Sequence, residues 1–232
     1  LCKTLVSEDG KKAVVVEVNA ETDFVAKNEK FQNYVSDVAE QALNTSAADI
    51  DAFLAEKWAK DPSLTVAEAL SSQISIIGEN MKIRRFAQLA EENGFVASYI
   101  HAGGKIGVLV EFKLGDASFA TNDDFKKYGR NVAMQVAAAS PVSATRESVD
   151  PAVVEHEMSI YKAQAAESGK PENIQEKIAT GRMEKFYKEN CLTEQAFVKN
   201  PDQSVNEYTA EVAKALGTTI EIVSFTRFML GE

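Results

Sequence analysis

The chain contains two copies of one sequence pattern, and this duplication constrains its fold more than any other feature. A shift of 94 residues places residues 10–41 on residues 104–135 without a gap, with 12 identities in 32 columns. Ordinary composition would give roughly two identities. A second shift, of 139 residues, places residues 62–86 on residues 201–225. The second copy therefore carries an insertion of about 45 residues between its two matched regions.

Each copy predicts a small α+β unit. Gly10 and Gly104 occupy the turn of an opening hairpin, Asn28 and Asn122 are predicted helix N-caps, and a glycine ends a later helix. The predicted strands are 4–6, 13–18 and 81–86 in the first copy and 97–100, 106–113 and 220–228 in the second. The pattern indicates an α+β fold with two duplicated subdomains, each a three-stranded antiparallel sheet covered by helices on one face.

The insertion predicts a pair of helices. Val154, Met158, Tyr161 and Ala165 repeat at spacings of four, three and four, which indicates a short coiled-coil seam before a break at residues 168–171. We expect an antiparallel helical-hairpin arm, with a simple helical cover over the sheet as the alternative. The predicted domains are residues 1–94 for the N subdomain, 95–152 and 199–232 for the C subdomain, and 153–198 for the inserted arm.

The composition predicts a globular protein with a protein partner. Hydrophobic residues make up 45% of the chain and charged residues 26%, and the formal net charge is -10. An acidic surface repels phosphate backbones, so direct nucleic-acid binding is not expected, although Lys82, Arg84 and Arg85 could form a local basic patch. The apolar runs are too short to cross a membrane. Cys2 and Cys191 are expected to be free thiols in a reducing compartment.

The internal comparison singles out one segment, because the second copy replaces it entirely. Thr22, Asp23, Phe24 and Val25 correspond to Asp116, Ala117, Ser118 and Phe119. In one interpretation, Asp23 is a local cap and Phe24 closes the edge of the core. In the other, Phe24 is an exposed aromatic wedge beside a carboxylate, a pair suited to insertion into a partner or to disturbing a Mg²⁺ site.

Catalytic motifs are not recognisable in the chain. His101 has no histidine counterpart in the first copy. A role in stabilising the turn or in an interface is expected for it rather than a catalytic role. His156 is expected on a solvated face of the arm. No nucleophile elbow, phosphate-binding loop, zinc motif or dinucleotide fingerprint is present, which argues against an enzyme with an active site between the two sheets.

Several segments resemble the elongation factor Ts family. The motif at residues 18–28 (VNAETDFVAKN) resembles the signature of that family, as do residues 77–85 (IGENMKIRR), His101 with residues 106–110 (IGVLV), and residues 168–171 (SGKP). The resemblance extends from about residue 10 to residue 232. It implies a core of N and C subdomains with similar folds and a coiled-coil arm inserted in the second subdomain. The family also begins with a small helical module, which is not recognisable in this sequence.

The resemblance implies a guanine-nucleotide exchange factor for elongation factor Tu, acting in the cytoplasm on the GDP-bound and nucleotide-free GTPase without covalent chemistry. It assigns Thr22, Asp23, Phe24 and Val25 to dislodging Mg²⁺ from the GTPase, and His101 to a second contact. Neither a cofactor nor a metal is expected on the chain itself. A dimer of heterodimers is one assembly consistent with the resemblance. The alternative function is a chaperone that binds the same GTPase without exchange.

Overall fold

The computed structural model describes all residues from 1 to 232 and shows an α+β fold. The α-helices are α1 (Asp23–Ala26), α2 (Glu29–Asn44), α3 (Ile50–Leu54), α4 (Val66–Ile77), α5 (Asp123–Ala139), α6 (Pro151–Ala166), α7 (Glu172–Asn190) and α8 (Val205–Leu216). The strands are β1 (Cys2–Val6), β2 (Lys12–Ala20), β3 (Lys57–Trp58), β4 (Asp61–Thr65), β5 (Met81–Ala90), β6 (Gly94–His101), β7 (Ile106–Leu114), β8 (Ala196–Phe197), β9 (Asn200–Ser204) and β10 (Ile220–Met229).

Two three-stranded antiparallel sheets form the framework, as the duplication predicts. Their strand orders are β1-β2-β5 and β10-β7-β6, so the second strand of each copy is central. Two short hairpins, β3-β4 and β8-β9, accompany the main sheets, and each precedes the later helix of its copy. The predicted fold class is confirmed. The two short hairpins were not predicted.

Helix α2 covers the first sheet because its sequence carries one apolar stripe. The Asn28 side chain accepts hydrogen bonds from the backbone N–H groups of Lys30 and Phe31, which starts the helix as predicted. The residues of the stripe are buried together with one face of β2: Phe31, Tyr34, Val35, Val38, Ala39 and Ala42. Burial of this stripe fixes the helix on the sheet, since each large side chain contributes about 1.5–3 kcal/mol.

The second sheet is covered by α5 in the same way. Asn122 accepts hydrogen bonds from the backbone N–H groups of Asp124 and Phe125, so the second predicted cap is also confirmed. The ring of Phe112 on β7 lies 5.7 Å from that of Phe125 and 5.3 Å from that of Tyr128. These tilted and edge-on contacts between aromatic rings stabilise the helix on the sheet.

The later helices, α4 and α8, begin and end at matching signals. Thr65 and Ser204 each form a capping box with the glutamate three residues ahead. Gly78 and Gly217 end the helices with φ angles of 83° and 77°, which are accessible to glycine at little cost. The predicted glycine at the end of each later helix is confirmed.

The inner faces of the two sheets pack on each other. Alternation along β2 directs Val14 and Val16 toward the helices and Val15 toward the other sheet, where Val96 and Leu109 are also fully buried. The central strand is therefore buried on both faces, which explains its continuous apolar run. Apolar side chains fill the space between the sheets.

The opening turn of each copy docks on the first strand of the other copy. The Gly10 carbonyl accepts a hydrogen bond from the Val96 N–H at 2.8 Å, and the Gly104 carbonyl accepts one from the Cys2 N–H at 2.7 Å. A shift of 94 residues relates these two contacts. The copies are thus interlocked at symmetry-related positions, which the sequence pattern alone did not reveal.

Contacts within the chain define two compact units, residues 1–137 with 218–232 and residues 138–217. The first unit contains both sheets. In the second, α6 and α7 pack against each other across residues 167–171, and Ala165, Ala179 and Met183 are buried while Ile174 is exposed. These units follow different boundaries from the predicted 1–94, 95–152 with 199–232, and 153–198. The predicted subdomain limits and the coiled-coil character of the arm stay predictions.

Candidate functional site

The segment singled out by the internal comparison forms α1, a single turn of helix between β2 and α2. Thr22 is its N-cap, and its hydroxyl oxygen accepts a hydrogen bond from the Val25 N–H at 3.4 Å. Val25 is 8% exposed and packs in the first core. Phe24, on the opposite side of the turn, is 87% exposed. The turn is anchored through Val25 while it presents Phe24 to solvent.

Phe24 is the most exposed large hydrophobic residue of the chain. Beside it, Asp23 is exposed, and its carboxylate makes no hydrogen bond or ion pair within the chain. Leaving a Phe side chain in water forgoes about 1.5–3 kcal/mol of burial free energy. The interpretation in which Phe24 closes the core and Asp23 caps a helix is therefore wrong. Thr22 provides the cap and Val25 the core contact.

Glu79, in the motif at residues 77–85, holds the start of α1 in place. Its carboxylate accepts hydrogen bonds from the Thr22 backbone N–H at 3.2 Å and from the Thr22 hydroxyl at 2.7 Å. Glu79 directly follows Gly78, the residue that ends α4. In the sequence this motif stands out only through its family resemblance, which gives Glu79 no role. The signal available there was the pairing of two distinctive motifs, one at each end of this contact.

A second exposed apolar residue lies near this contact in the chain. Ile76, in the last turn of α4, is 60% exposed, whereas the neighbouring Ile77 is half-buried. Ile76 does not stand out in the sequence, because a helical residue flanked by Ile74 and Ile77 is expected to belong to the buried stripe. With Phe24, it gives this end of the first subdomain two exposed hydrophobic side chains.

The second copy keeps the cap of α1 and discards the exposed residues. Asp116 replaces Thr22 and caps a 3₁₀ helix at Ala117–Thr121, accepting a hydrogen bond from the Ser118 N–H at 2.9 Å. Ser118 stands where Phe24 does and is exposed. The same scaffold therefore forms a capped turn here without an aromatic side chain, so folding does not require one.

His101 ends β6 and lies on the exposed edge of the opening turn of the second copy. Its Nδ1 atom lies 3.1 Å from the Tyr99 hydroxyl, and the two rings are 5.9 Å apart. The His101 carbonyl accepts hydrogen bonds from the Gly104 and Lys105 N–H groups. No hydrogen bond or ring contact joins His101 to Thr22–Val25, so these predicted residues form two separate groups.

Neighbours of the two groups, though none of the predicted residues themselves, line one cleft. Gln32 on α2 donates a hydrogen bond to the Ala26 carbonyl at the end of α1, at 3.1 Å. Gln32 and Ile100, which precedes His101, both line a cleft of about 290 Å³. The cleft therefore lies between a residue that contacts the end of α1 and a residue next to His101.

The basic patch considered at Arg84 and Arg85 is largely neutralised. Both guanidinium groups bind Glu17, which is fully buried, with N–O distances of 2.9 and 2.7 Å. Burial of Glu17 opposes ionisation, but the hydrogen bonds from Arg84 and Arg85 outweigh it and keep its pKa below the ordinary glutamate value. These arginines therefore stabilise the fold rather than forming an open cationic surface.

The structure shows neither a metal-binding cluster nor a membrane-spanning helix. No group of three or more His, Cys, Asp or Glu side chains is arranged to hold a metal ion. None of the helices has the length and apolar character needed to span a bilayer. The features that stand out at the candidate site are therefore a presented aromatic residue, a free carboxylate and a cleft.

Comparison with known proteins gives the family. The sequence model described as Elongation factor TS matches residues 21–232. This chain belongs to the elongation factor Ts family. A relative from Trichlorobacter lovleyi, named Elongation factor Ts, is 48% identical over 98% of the chain and 73% of its own length. Relatives with the same name from Clostridium tetani and Clostridium kluyveri are 45% and 46% identical over the whole chain, which covers 75% and 74% of their lengths.

Proposed function

We propose that the chain is a guanine-nucleotide exchange factor that binds elongation factor Tu with GDP, disturbs its Mg²⁺ and nucleotide site, and promotes GDP release. The observation that carries the proposal is the 87% exposure of Phe24 on a turn fixed by Val25 and Glu79. An aromatic side chain held in place before binding loses little conformational entropy on insertion into a partner. The proposed site of action is the cytoplasm, where translation occurs.

The proposed mechanism is differential binding, without any covalent step. The chain favours the GTPase without GDP and Mg²⁺, and thermodynamic linkage requires GDP with Mg²⁺ to weaken its binding by the same factor. Each tenfold loss of GDP affinity requires about 1.4 kcal/mol of coupling. Burial of the Phe24 ring, at about 1.5–3 kcal/mol, supplies one or two such factors.

Each predicted site residue has a distinct role in this proposal. Phe24 enters the partner as the wedge, and the Asp23 carboxylate perturbs the oxygen ligands of the Mg²⁺ site. Thr22 and Val25 hold the turn that carries them. His101 makes a separate contact with the partner, and Ile76 extends the apolar surface near α1.

The test is release of fluorescent GDP from elongation factor Tu, measured by stopped flow at saturating concentrations of the chain. Phe24→Ala should lower the accelerated release rate by about 10-fold or more, since the burial free energy of the ring is lost. Asp23→Asn should also slow release. The matched control is Ser118→Ala, at the equivalent position of the second copy, which should leave the rate unchanged.

The same assay separates exchange from simple binding. A chaperone for the GTPase would bind it and leave the GDP dissociation rate unaltered at saturation. That result would reject the exchange function. Acceleration that survives Phe24→Ala in full would instead reject the wedge while retaining the exchange activity.

A further inference from the structure

The interlocked turns create two clefts that the duplication relates to each other. The α2 cleft, described above, lies between the turn of the second copy, β1 and α2. The α5 cleft, of about 310 Å³, lies between the turn of the first copy, β6 and α5. A shift of 94 residues relates six pairs of lining residues: Leu1 and Phe95, Lys3 and Ala97, Val6 and Ile100, Asp9 and Gly103, Gly10 and Gly104, and Gln32 and Lys126. The two clefts share one backbone design, so differences between their side chains need not reflect demands of the fold.

The α5 cleft carries two cations on its helix, whereas the single cationic side chain of the α2 cleft, Lys3, lies on β1. Lys126 and Arg130 lie one turn apart on α5, and both line the cleft. Both are exposed, and neither makes an ion pair or a side-chain hydrogen bond within the chain. The corresponding residues on α2 are the neutral Gln32 and Ser36. What distinguishes Lys126 and Arg130 is that both face one cleft from the same side of α5.

The remainder of the α5 cleft suits an organic ligand rather than a bare ion. Phe95 is half-buried in its wall, and Ala97 and Ala120 contribute buried apolar surface. The Ser98 hydroxyl has no hydrogen-bond partner within the chain and lines the same space. An apolar surface with a few unsatisfied polar groups is typical of small-molecule sites, and about 310 Å³ is at the lower end of their range.

We propose that the α5 cleft binds a small organic phosphate of the nucleoside monophosphate class, with the phosphate on Lys126 and Arg130 and the planar body against Phe95. The guanidinium group of Arg130 matches the geometry of two phosphate oxygens, and Lys126 adds a second charge one helical turn away. The aromatic edge of Phe95 gives the base an apolar contact.

Carboxylates on the opposite wall orient the ligand. Asp9 is occupied by hydrogen bonds from Ser7 and from the Lys11 N–H, whereas Glu8 has no partner within the chain. Glu8 and Asp9 repel additional phosphates on that side. This arrangement disfavours a continuous nucleic-acid backbone, which needs a sustained track of cations, and favours a ligand with one anionic end.

The test uses the full chain alone and GMP as the probe, followed by backbone amide NMR. Saturable shifts are expected at Gly10, Ser98 and Arg130, with none at Gly104 and Gln32 of the α2 cleft. The double variant Lys126→Gln with Arg130→Ser installs the residues that occupy the equivalent positions on α2, Gln32 and Ser36. It should weaken GMP binding by at least about tenfold. The control, Lys127→Gln, removes a neighbouring exposed cation outside the cleft and should change affinity by less than about twofold.

Several results would overturn the proposal. These are the absence of saturation up to about 10 mM GMP, saturation that survives the double variant, or inorganic phosphate binding as tightly as GMP. Because all three residues substituted here are on the surface, unchanged thermal unfolding should accompany each variant. No GTPase is present in this experiment, so its outcome is independent of the proposed exchange function.

Discussion

Glu79 accepts two hydrogen bonds from Thr22, one from its backbone N–H at 3.2 Å and one from its hydroxyl at 2.7 Å. Glu79, two residues beyond the end of α4, thereby fixes Thr22, the residue before α1. Because Phe24 is two positions beyond Thr22, this contact sets the direction in which the exposed ring points. The two most distinctive motifs of the sequence meet at this contact.

Glu79→Ala should reduce the acceleration of GDP release by about three- to tenfold, because α1 loses a charged hydrogen-bond partner at an exposed site. The thermal midpoint should change little, since exposed contacts contribute weakly to global stability. Thr22→Ser keeps both the N–H and the hydroxyl and serves as the control in the same stopped-flow assay. A large drop in the thermal midpoint that accompanies the slower GDP release would contradict a positioning role for Glu79.

Equivalent glutamates in the two copies should show opposite pH dependence. Glu17 is bound by two arginines, whereas burial raises the pKa of Glu111, and the carboxylates of Glu91 and Glu221 raise it further against a hydrogen bond from Ser224. Glu17 therefore contributes stability that is present above the ordinary glutamate pKa and lost as pH falls through its lowered value. For Glu111, stability is highest in the protonated state and is lost as pH rises through its raised pKa.

Glu17→Gln should lower the free energy of unfolding at neutral pH by about 2 to 4 kcal/mol, because it leaves two guanidinium groups without a charge partner. The loss should shrink as pH is lowered below the glutamate range. Glu111→Gln should stabilise the protein at neutral pH and become neutral in acid. Urea unfolding between about pH 2.5 and 8 compares both variants, and parallel pH profiles would refute the opposite roles given to the two glutamates.

Gly10→Ala should destabilise the interlocked turn. A Cβ atom at this position would lie 2.3 Å from the Phe95 ring, and the φ angle of 71° is itself unfavourable for alanine. We expect a loss of about 2 kcal/mol or more from the clash and the backbone together. Gly103→Ala has a similar φ of 66° and open space around it, so it should cost only about 1 kcal/mol. Equal costs in urea unfolding would rule out the steric contribution.

Arg146 should control the stability of the second compact unit. Its guanidinium group donates hydrogen bonds to Glu184 on α7 and to Glu194, and it lies 4.5 Å from the centre of the Tyr187 ring. Arg146→Lys removes the planar fork and should cost about 1 to 2 kcal/mol. Hydrogen exchange of amides 184–194 should accelerate. Arg182→Lys, which alters one neutral contact to Gln164, should have a smaller effect.

Much of the fold could be predicted because its signals are local. The Asn28 cap, the stripe from Phe31 to Ala42 and the glycine at the end of α4 each act within a few residues, so periodicity and capping preferences suffice. The short β3-β4 hairpin was missed because Lys57–Trp58 is only two residues long and carries no alternation.

The candidate site was only partly predictable. Comparison of the copies separated Phe24 and Asp23 from the scaffold, since the second copy folds without them. It did not show that Val25 packs in the core or that Glu79 accepts hydrogen bonds from Thr22. Both contacts depend on where distant segments of the chain meet.

The sequence by itself determined the duplicated α+β units, their caps and the segment private to the first copy, because these follow from periodicity and from residue-by-residue comparison. Only the tertiary structure decided that the sheets pack face to face, that each copy inserts its turn into the other, and that Phe24 points to solvent. Those outcomes depend on contacts between residues far apart in the chain, such as Gly10 with Val96 and Thr22 with Glu79. Burial and hydrogen bonding across such separations depend on three-dimensional packing, which no local pattern encodes.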